Sequence, residues 1–477
     1  MKKHFSLFIL LFCCLPFFAQ SSNNEDEVVK IDRINYGAYR DGEVIVKFKD
    51  DCSAVMRAPR RARFSSAQAT AVDQLFATLG VDSVEELMPR TGARPMPRRI
   101  KAYSGKDVEP KNLHKLYRIT LSEQARQQRS IHEVVSQLQA LDEVEYAEPN
   151  YLVYAMSTTD RGDAVTYMSE PLYSQQWGYA AINLPYLWNL PKVRTKRPVI
   201  AILDTGVDIE HPDLAANIWT NEKEATGVEG QDDDRNGFKD DIHGWDFVNQ
   251  RSKIADYNGH GTHCAGIAAA VGDNGIGITG ANPDALIMPV VVMQADGTGD
   301  VATIIKGIDY AAANGADVIS MSFGGYGYSL AEEQALGRAY ATAVLVAAAG
   351  NDYKCIMPHD CPVNHKSAME NGPMFPAAFT FVLGVEASSQ LGLASFSNFD
   401  EDGPIYSTFG EEKLYNYELR APGVGIVSTF PGGRYKKLNG TSMACPMVAG
   451  AVSRLLQVKT DSALVSKEVL FGDLIHS

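Results

Sequence analysis

Three short segments carry the residue types that nucleophilic catalysis needs. In AILDTGVDIEHPDL an apolar run ends at Asp204, followed by Thr205 and Gly206. In NGHGTHCAGIAAAV, His260 stands between two glycines at the head of a small-residue helical stretch. In NGTSMACPMVAGAVSRLL, Ser442 opens a helical pattern whose Pro446 is tolerable only in a first turn. A serine hydroxyl is a weak nucleophile and needs a base. His260 can take its proton, and a buried Asp204 can fix the imidazole tautomer and stabilise the imidazolium. The backbone N–H of Ser442, at a helix N-terminus, is suited to a developing oxyanion. A lone DTG fits any strand-end turn, and a lone HGTH fits a capped helix. All three segments in the order Asp, His, Ser point to acyl transfer.

A second constellation concerns cations. QDDDRNGFKDD places Asp232, Asp234, Asn236 and Gly237 as D-x-D-x-N-G, the first half of an EF-hand-type loop. The oxygen of Phe238, then Asp240 or Asp241, can follow. His243 stands where an EF-hand closes with Glu, so the loop is not a true EF-hand. It still concentrates hard oxygen ligands for Ca2+ around a glycine turn. The alternative is a solvated acidic loop.

The elements that must position these residues follow from apolar texture. From about residue 172, continuous apolar strands such as RPVIAILDT, ALIMPVVVM, ADVISMS and AVLVAAAG alternate with helical stretches. That pattern predicts an α/β domain, a parallel sheet with helices on both faces. Catalytic groups collect at the carboxyl ends of such strands. Residues 21–156 read differently. Strands are predicted at 42–49, 81–88, 113–121 and 144–154, with helices at 67–79 and 131–141. The order β-α-β-β-α-β predicts a small α+β ferredoxin-like unit. Residues 157–171 form a connector containing Arg161-Gly162-Asp163, a tripeptide that most often occurs by accident. The clusters Arg60, Arg61, Arg63 and Arg98, Arg99, Lys101 read as solvated or protease-sensitive loops.

The 477 residues exceed one ordinary domain. Residues 1–156 hold 22 Lys and Arg against 20 Asp and Glu, a charge of +2, so within the net charge of −14 the rest of the chain carries −16. An acidic body argues against nucleic acid as a partner. Residues 1–20 have a basic start at Lys2 and Lys3 and an apolar run at 5–18, which is the pattern of a secretory signal peptide. A membrane anchor is the alternative, and the run is short for one. No later stretch is apolar enough to span. Outside the leader stand Cys52, Cys264, Cys355, Cys361 and Cys445. An odd number is no disulfide framework. Cys355 and Cys361 flank a short loop that a local bridge could close in an oxidising compartment.

The strings DTGVD, HPDL, HGTHCAG, MSFGG, AAAGN and GTSMACPMVAG resemble the subtilisin-like serine peptidases, from residue 172 to the end. The order Asp, His, Ser is that of subtilisin itself. The resemblance implies a triad of Asp204, His260 and Ser442, with Asn351 as a side-chain oxyanion donor. HGTHCAG is similar to the proteinase K-like branch. Ser322, Phe323, Gly324, Ala348, Ala349 and Gly350 match the walls of the first specificity pocket, and Met374 matches its floor. A flexible Met there implies a medium apolar side chain before the scissile bond; core packing is its alternative. Asp213 and Asn274 match the side chains of the family's strong calcium site, with carbonyls of Gly272, Ile276 and Ile278. Residues 41–156 resemble the family's inhibitory propeptides. The implied protein is a secreted, self-processing zymogen that cleaves protein substrates and is cut near Met156, with its own propeptide as inhibitor; the alternative is that this stretch is the edge strand of a permanent domain, with cleavage elsewhere in 157–171 or none. Only 35 residues follow Ser442, which is short for the family, so a missing C-terminal part is an expectation. Two rivals remain: a catalytically silent scaffold used for binding, and an esterase. The absence of G-x-S-x-G around Ser442 speaks against the second.

Overall fold

The structure is a computed structural model and describes residues 38–49, 71–88, 100–101, 107–108, 111, 113–156, 170–356, 372–400 and 415–458. The leader at 1–20, the tripeptide 161–163, most of the arginine clusters and Cys361 lie outside the described residues.

The N-terminal domain contains β1 (Tyr39–Phe48), α1 (Ala71–Leu79), β2 (Val81–Glu86), β3 (Leu116–Leu121), α2 (Glu123–Gln128), α3 (Ile131–Gln139) and β4 (Val144–Ala155). Its strands pair antiparallel in the order β4-β1-β3-β2. The expected β-α-β-β-α-β path is present. One helix was expected after β3, and two are found. Ser122 and Ser130 explain this: each hydroxyl caps a separate helix, accepting from Ala125 N and Glu133 N. Along β1 the side chains alternate. Val44, Val46 and Phe48 pack under the domain's own helices, whereas Ile45 joins the core of the second domain.

That second domain is a parallel sheet with β5 (Val199–Asp204), β6 (Trp245–Asp246), β7 (Leu286–Val291), β9 (Val318–Met321), β11 (Val344–Ala348), β12 (Leu383–Ser389) and β14 (Leu419–Pro422). Among the described residues, β13 (Gly392–Leu393) alone runs antiparallel in this sheet, at the β12 edge. Every residue of β5 is buried. Val199, Ala201 and Leu203 face one core with α5 (Val301–Ala313) and α6 (Leu330–Ala339). Ile200 and Ile202 face the other with α4 (His260–Ala269) and α7 (Thr441–Val458). Helices on both faces explain why these strands lack polar alternation.

The two domains share a strand. The end of β4 lies between β8 (Thr298–Asp300) and β10 (Phe323–Gly324), antiparallel to both. Glu148 of β4 accepts from Ser329 Oγ, Leu330 N and Ala331 N, capping α6. Asn150 accepts from Ala302 N at the head of α5. No described helix is long and apolar enough to cross a membrane.

Candidate active site

Strand β5 delivers Asp204 at its carboxyl end, and α4 begins at His260. Both are buried. His260 Nδ1 donates to Asp204 Oδ1 at 2.7 Å, with Oδ2 at 3.0 Å. Thr205 N also donates to Oδ1, at 2.7 Å. Close approach requires Gly261, because a Cβ there would stand 2.1 Å from the Gly206 carbonyl oxygen. Burial disfavours the imidazolium, yet the adjacent Asp204 carboxylate outweighs it and holds His260 well above its ordinary pKa. Nε2 of His260 is buried and has no hydrogen-bond partner among the described residues. Ser442 sits in the first turn of α7, fully buried. Its hydroxyl donates to Ser322 O at 3.0 Å and not to His260. The structure therefore joins two of the three expected residues by a hydrogen bond and leaves the third turned aside.

The end of β4 occupies this place. Met156 O accepts from Ser442 N at 3.1 Å, and Met156 N donates to Ser322 O at 3.0 Å. Phe323 pairs with Ala155 and Gly324 with Tyr154. The Met156 side chain is buried in the core that holds Ala348 and Met374. Met374 lies between the two glycine walls: a Cβ on Gly324 or Gly350 would meet its Sδ at 2.9 or 2.5 Å. Phe323 and Ala349 contribute backbone only, since their side chains belong to the opposite core. Asn351 follows β11. Its Oδ1 accepts from Thr441 N at 2.9 Å and Thr441 Oγ1 at 3.0 Å, which leaves the Nδ2 donor for another acceptor.

The acidic loop folds on itself. Asp232 accepts from Asn236 N and Gly237 N, and Asn236 Oδ1 from Phe238 N. Asp240 is turned to Gly230 N. Asp234 and Asp241 instead converge with Glu224, one oxygen of each within 4.8 Å of the others. Burial pushes the Asp241 carboxyl up to about 6 although Tyr310 and Asn236 donate to it. Three converging carboxylates, two of them buried, fit a hard divalent cation. At the other predicted site Asn274 Nδ2 donates to Asp213 Oδ1 at 2.7 Å, and Ile278 N and Tyr435 OH donate to Oδ2. Burial raises the Asp213 carboxyl.

Sequence reasoning missed Glu224, which is eight residues before the motif edge at Asp232 and has no spacing signal of its own. It missed Thr441, although that residue adjoins Ser442. It also missed Asp256, four residues before His260. The Asp256 carboxylate accepts from Thr205 Oγ1, Asn258 N, Gly259 N, Thr262 N and Thr262 Oγ1, and so ties the β5 turn to the start of α4.

Comparison with known proteins places these residues in context. The sequence profile of the subtilase family matches residues 195–471. The chain is 35% identical to thermitase of Thermoactinomyces vulgaris over 289 residues, 60% of this chain and 84% of that protein. It is 32% identical to a thermophilic serine proteinase of Bacillus sp. (strain AK1) over 451 residues, 92% of this chain and 85% of the relative. It is 35% identical to subtilisin DY of Bacillus licheniformis over 259 residues, 54% of this chain and 76% of that protein.

Proposed function

Because the chain belongs to the subtilase family and is a serine endopeptidase, we propose that Asp204, His260 and Ser442 form its triad and that it is made as a zymogen cut after Met156. The observation that carries this reading is the Met156 carbonyl, 3.1 Å from Ser442 N, on a strand held between two enzyme strands. An extended segment paired in this way puts alternate side chains into pockets.

The Ser442 hydroxyl exchanges Ser322 O for His260 Nε2 by rotating about its Cα–Cβ bond. Its oxygen then attacks the scissile carbonyl, and the proton passes to Nε2. Asp204 stabilises the resulting imidazolium. Ser442 N and Asn351 Nδ2 receive the oxyanion charge. The imidazolium returns its proton to the leaving amine, and water repeats the sequence on the ester. Tethering makes the first cut effectively unimolecular. A Met156 buried in the same core as Met374 supports a preference for apolar side chains before the scissile bond. The cleaved N-terminal domain stays as an inhibitor through the same strand pairing.

Residues 1–20 support export. Glu224, Asp234 and Asp241, and Asp213 with Asn274, would hold calcium, which would supply charge neutralisation and no chemistry. A catalytically silent scaffold is the rival reading, and the closely hydrogen-bonded Asp204–His260 pair speaks against it. Fluorophosphonate labelling tests the proposal. Label is expected on the processed protein and absent from Ser442→Ala. An unlabelled processed protein would sink the triad, and a mature N-terminus upstream of Tyr146 or downstream of Pro171 would sink the cleavage site.

A further inference from the structure

A buried asparagine is costly unless its two donors and two acceptor positions are all met. Asn398 is fully buried just after β13, in the stretch ASFSNFD. Its Oδ1 accepts from Asp352 N at 3.1 Å and Lys354 N at 2.9 Å. Its Nδ2 donates to Ala349 O and to Tyr326 OH, both at 2.9 Å. Its own backbone N–H donates to Gly350 O at 2.8 Å. Two N–H groups facing one side and a carbonyl facing the other fix the amide in a single orientation.

Every group so held belongs to the turn that carries Asn351 or supports it. Ala349 and Gly350 precede Asn351, and Asp352 and Lys354 follow it. The Tyr326 hydroxyl closes the ring by donating to Asp352 Oδ2 at 2.7 Å. The turn cannot close without Gly350, whose φ is +106° and whose Cβ position lies 2.5 Å from Asn398 Nδ2. On the opposite side Thr441 pins the Asn351 oxygen and also accepts from Gly350 N at 3.1 Å.

We infer that Asn398 is a positioning residue for peptide hydrolysis, gripping the backbone on both sides of Asn351 so that its side-chain amide is already aimed when the oxyanion forms. The inference rests on the reading of Asn351 as an oxyanion donor. Such a donor acts only if it needs no reorganisation at the moment of reaction. Aspartate at 398 would set an acceptor against Ala349 O, and alanine would remove all four side-chain contacts. Neither can substitute, although neither contact touches the substrate.

The test is steady-state kinetics on calcium-loaded enzyme, matured in trans where self-processing is slow. The variants are Asn398→Ala, the isosteric Asn398→Asp, Asn351→Ala and the double variant Asn351→Ala/Asn398→Ala. Fluorophosphonate titration normalises each to its folded sites. Asn398→Ala and Asn398→Asp are expected to lower kcat about tenfold or more, with KM changed less than about threefold. In the Asn351→Ala background, Asn398→Ala is expected to cost less than about twofold more. An equal loss in both backgrounds would make Asn398 a general structural residue and overturn the inference, as would wild-type kcat in Asn398→Asp. If Asn398→Ala does not fold, the isosteric variant and Tyr326→Phe decide the same question. If Asn351→Ala alone retains wild-type kcat, the oxyanion reading itself fails, which is a separate outcome.

Discussion

The two domains bury their sheets in opposite ways. The parallel sheet of the larger domain is covered on both faces by its own helices, α5 and α6 on one side and α4 and α7 on the other. The antiparallel sheet of the N-terminal domain covers only one face with its own helices. Its other face gives Ile45, Leu116 and Tyr146 to the core of the larger domain. A sheet finished on both faces can hold Asp204 rigidly at a strand end. A sheet finished on one face depends on its partner. Polar contacts follow the same division. Glu148 and Asn150 satisfy N–H groups at the heads of α6 and α5, and Lys306 of α5 pairs with Glu85, which also pairs with Arg118. The smaller domain is thus built to dock against the larger one.

The sharpest way to separate the two roles is Ser442→Ala. Turnover is expected to fall about a millionfold, the scale known for the nucleophile of subtilisin. The domains should remain covalently joined, read by mass spectrometry of the purified chain. A processed Ser442→Ala chain with residual turnover would break the comparison.

Next in size is the acid limb of activity. His260 must be neutral to act as base, and Asp204 holds its pKa above the ordinary value of 6.5. Activity is therefore expected to be lost as pH falls through a pKa higher than that of a free imidazole. Asp204→Asn should lower turnover strongly and move that limb to lower pH, measured as kcat/KM against pH. An unmoved limb would detach Asp204 from His260.

Chelation should touch the larger domain first, since both acidic sites lie in it. A cation held at about 100 times its Kd stabilises by about 2.7 kcal/mol. Removing it is expected to lower Tm by on the order of 5–10 °C. Glu224→Gln should reproduce part of the fall. Equal Tm with chelator and with excess calcium would remove both sites.

The smallest effect concerns docking. Burial, then the Glu148 charge, push the Glu332 carboxyl on α6 up to about 8, from 4.5 ordinarily. The docked form therefore holds a proton between those values that the separated enzyme, without Glu148, releases more readily. Docking is expected to tighten as pH falls below about 8 and to loosen as pH rises toward it. Gel filtration of the cleaved complex from pH 5 to 9 measures this, and Glu332→Gln should reduce the slope, with the Glu148 carboxyl, also raised by burial, keeping the remainder. Retention independent of pH in the native protein would contradict it.

How much of this was legible in the chain can be judged residue by residue. Asp204, His260 and Ser442 could be singled out because each lies in a stretch whose local pattern is distinctive: an apolar strand ending in DTG, glycines around a histidine, a proline in a first helical turn. The ferredoxin-like order was readable from alternating strands. The second short helix was not, because Ser122 and Ser130 act as caps only where the backbone leaves the helix. Asp234 and Asp241 were visible by spacing, whereas Glu224 joins them only through the fold. The local Cys355–Cys361 bridge stays an expectation, since Cys361 lies outside the described residues.

The sequence by itself determined the chemistry available and the elements that present it, because strand ends, helix starts and glycine turns are specified within a few neighbouring residues. Only the tertiary structure decided which groups meet. Asn398 reaches the Asn351 turn across 47 positions of chain, and Met156 reaches Ser442 N across 286. Tertiary packing also set the burial that raises Asp241 and Glu332 and the direction in which the Ser442 hydroxyl points. Contacts at such separations depend on how two sheets and their helices close over one another, and no local pattern of residues encodes that closure.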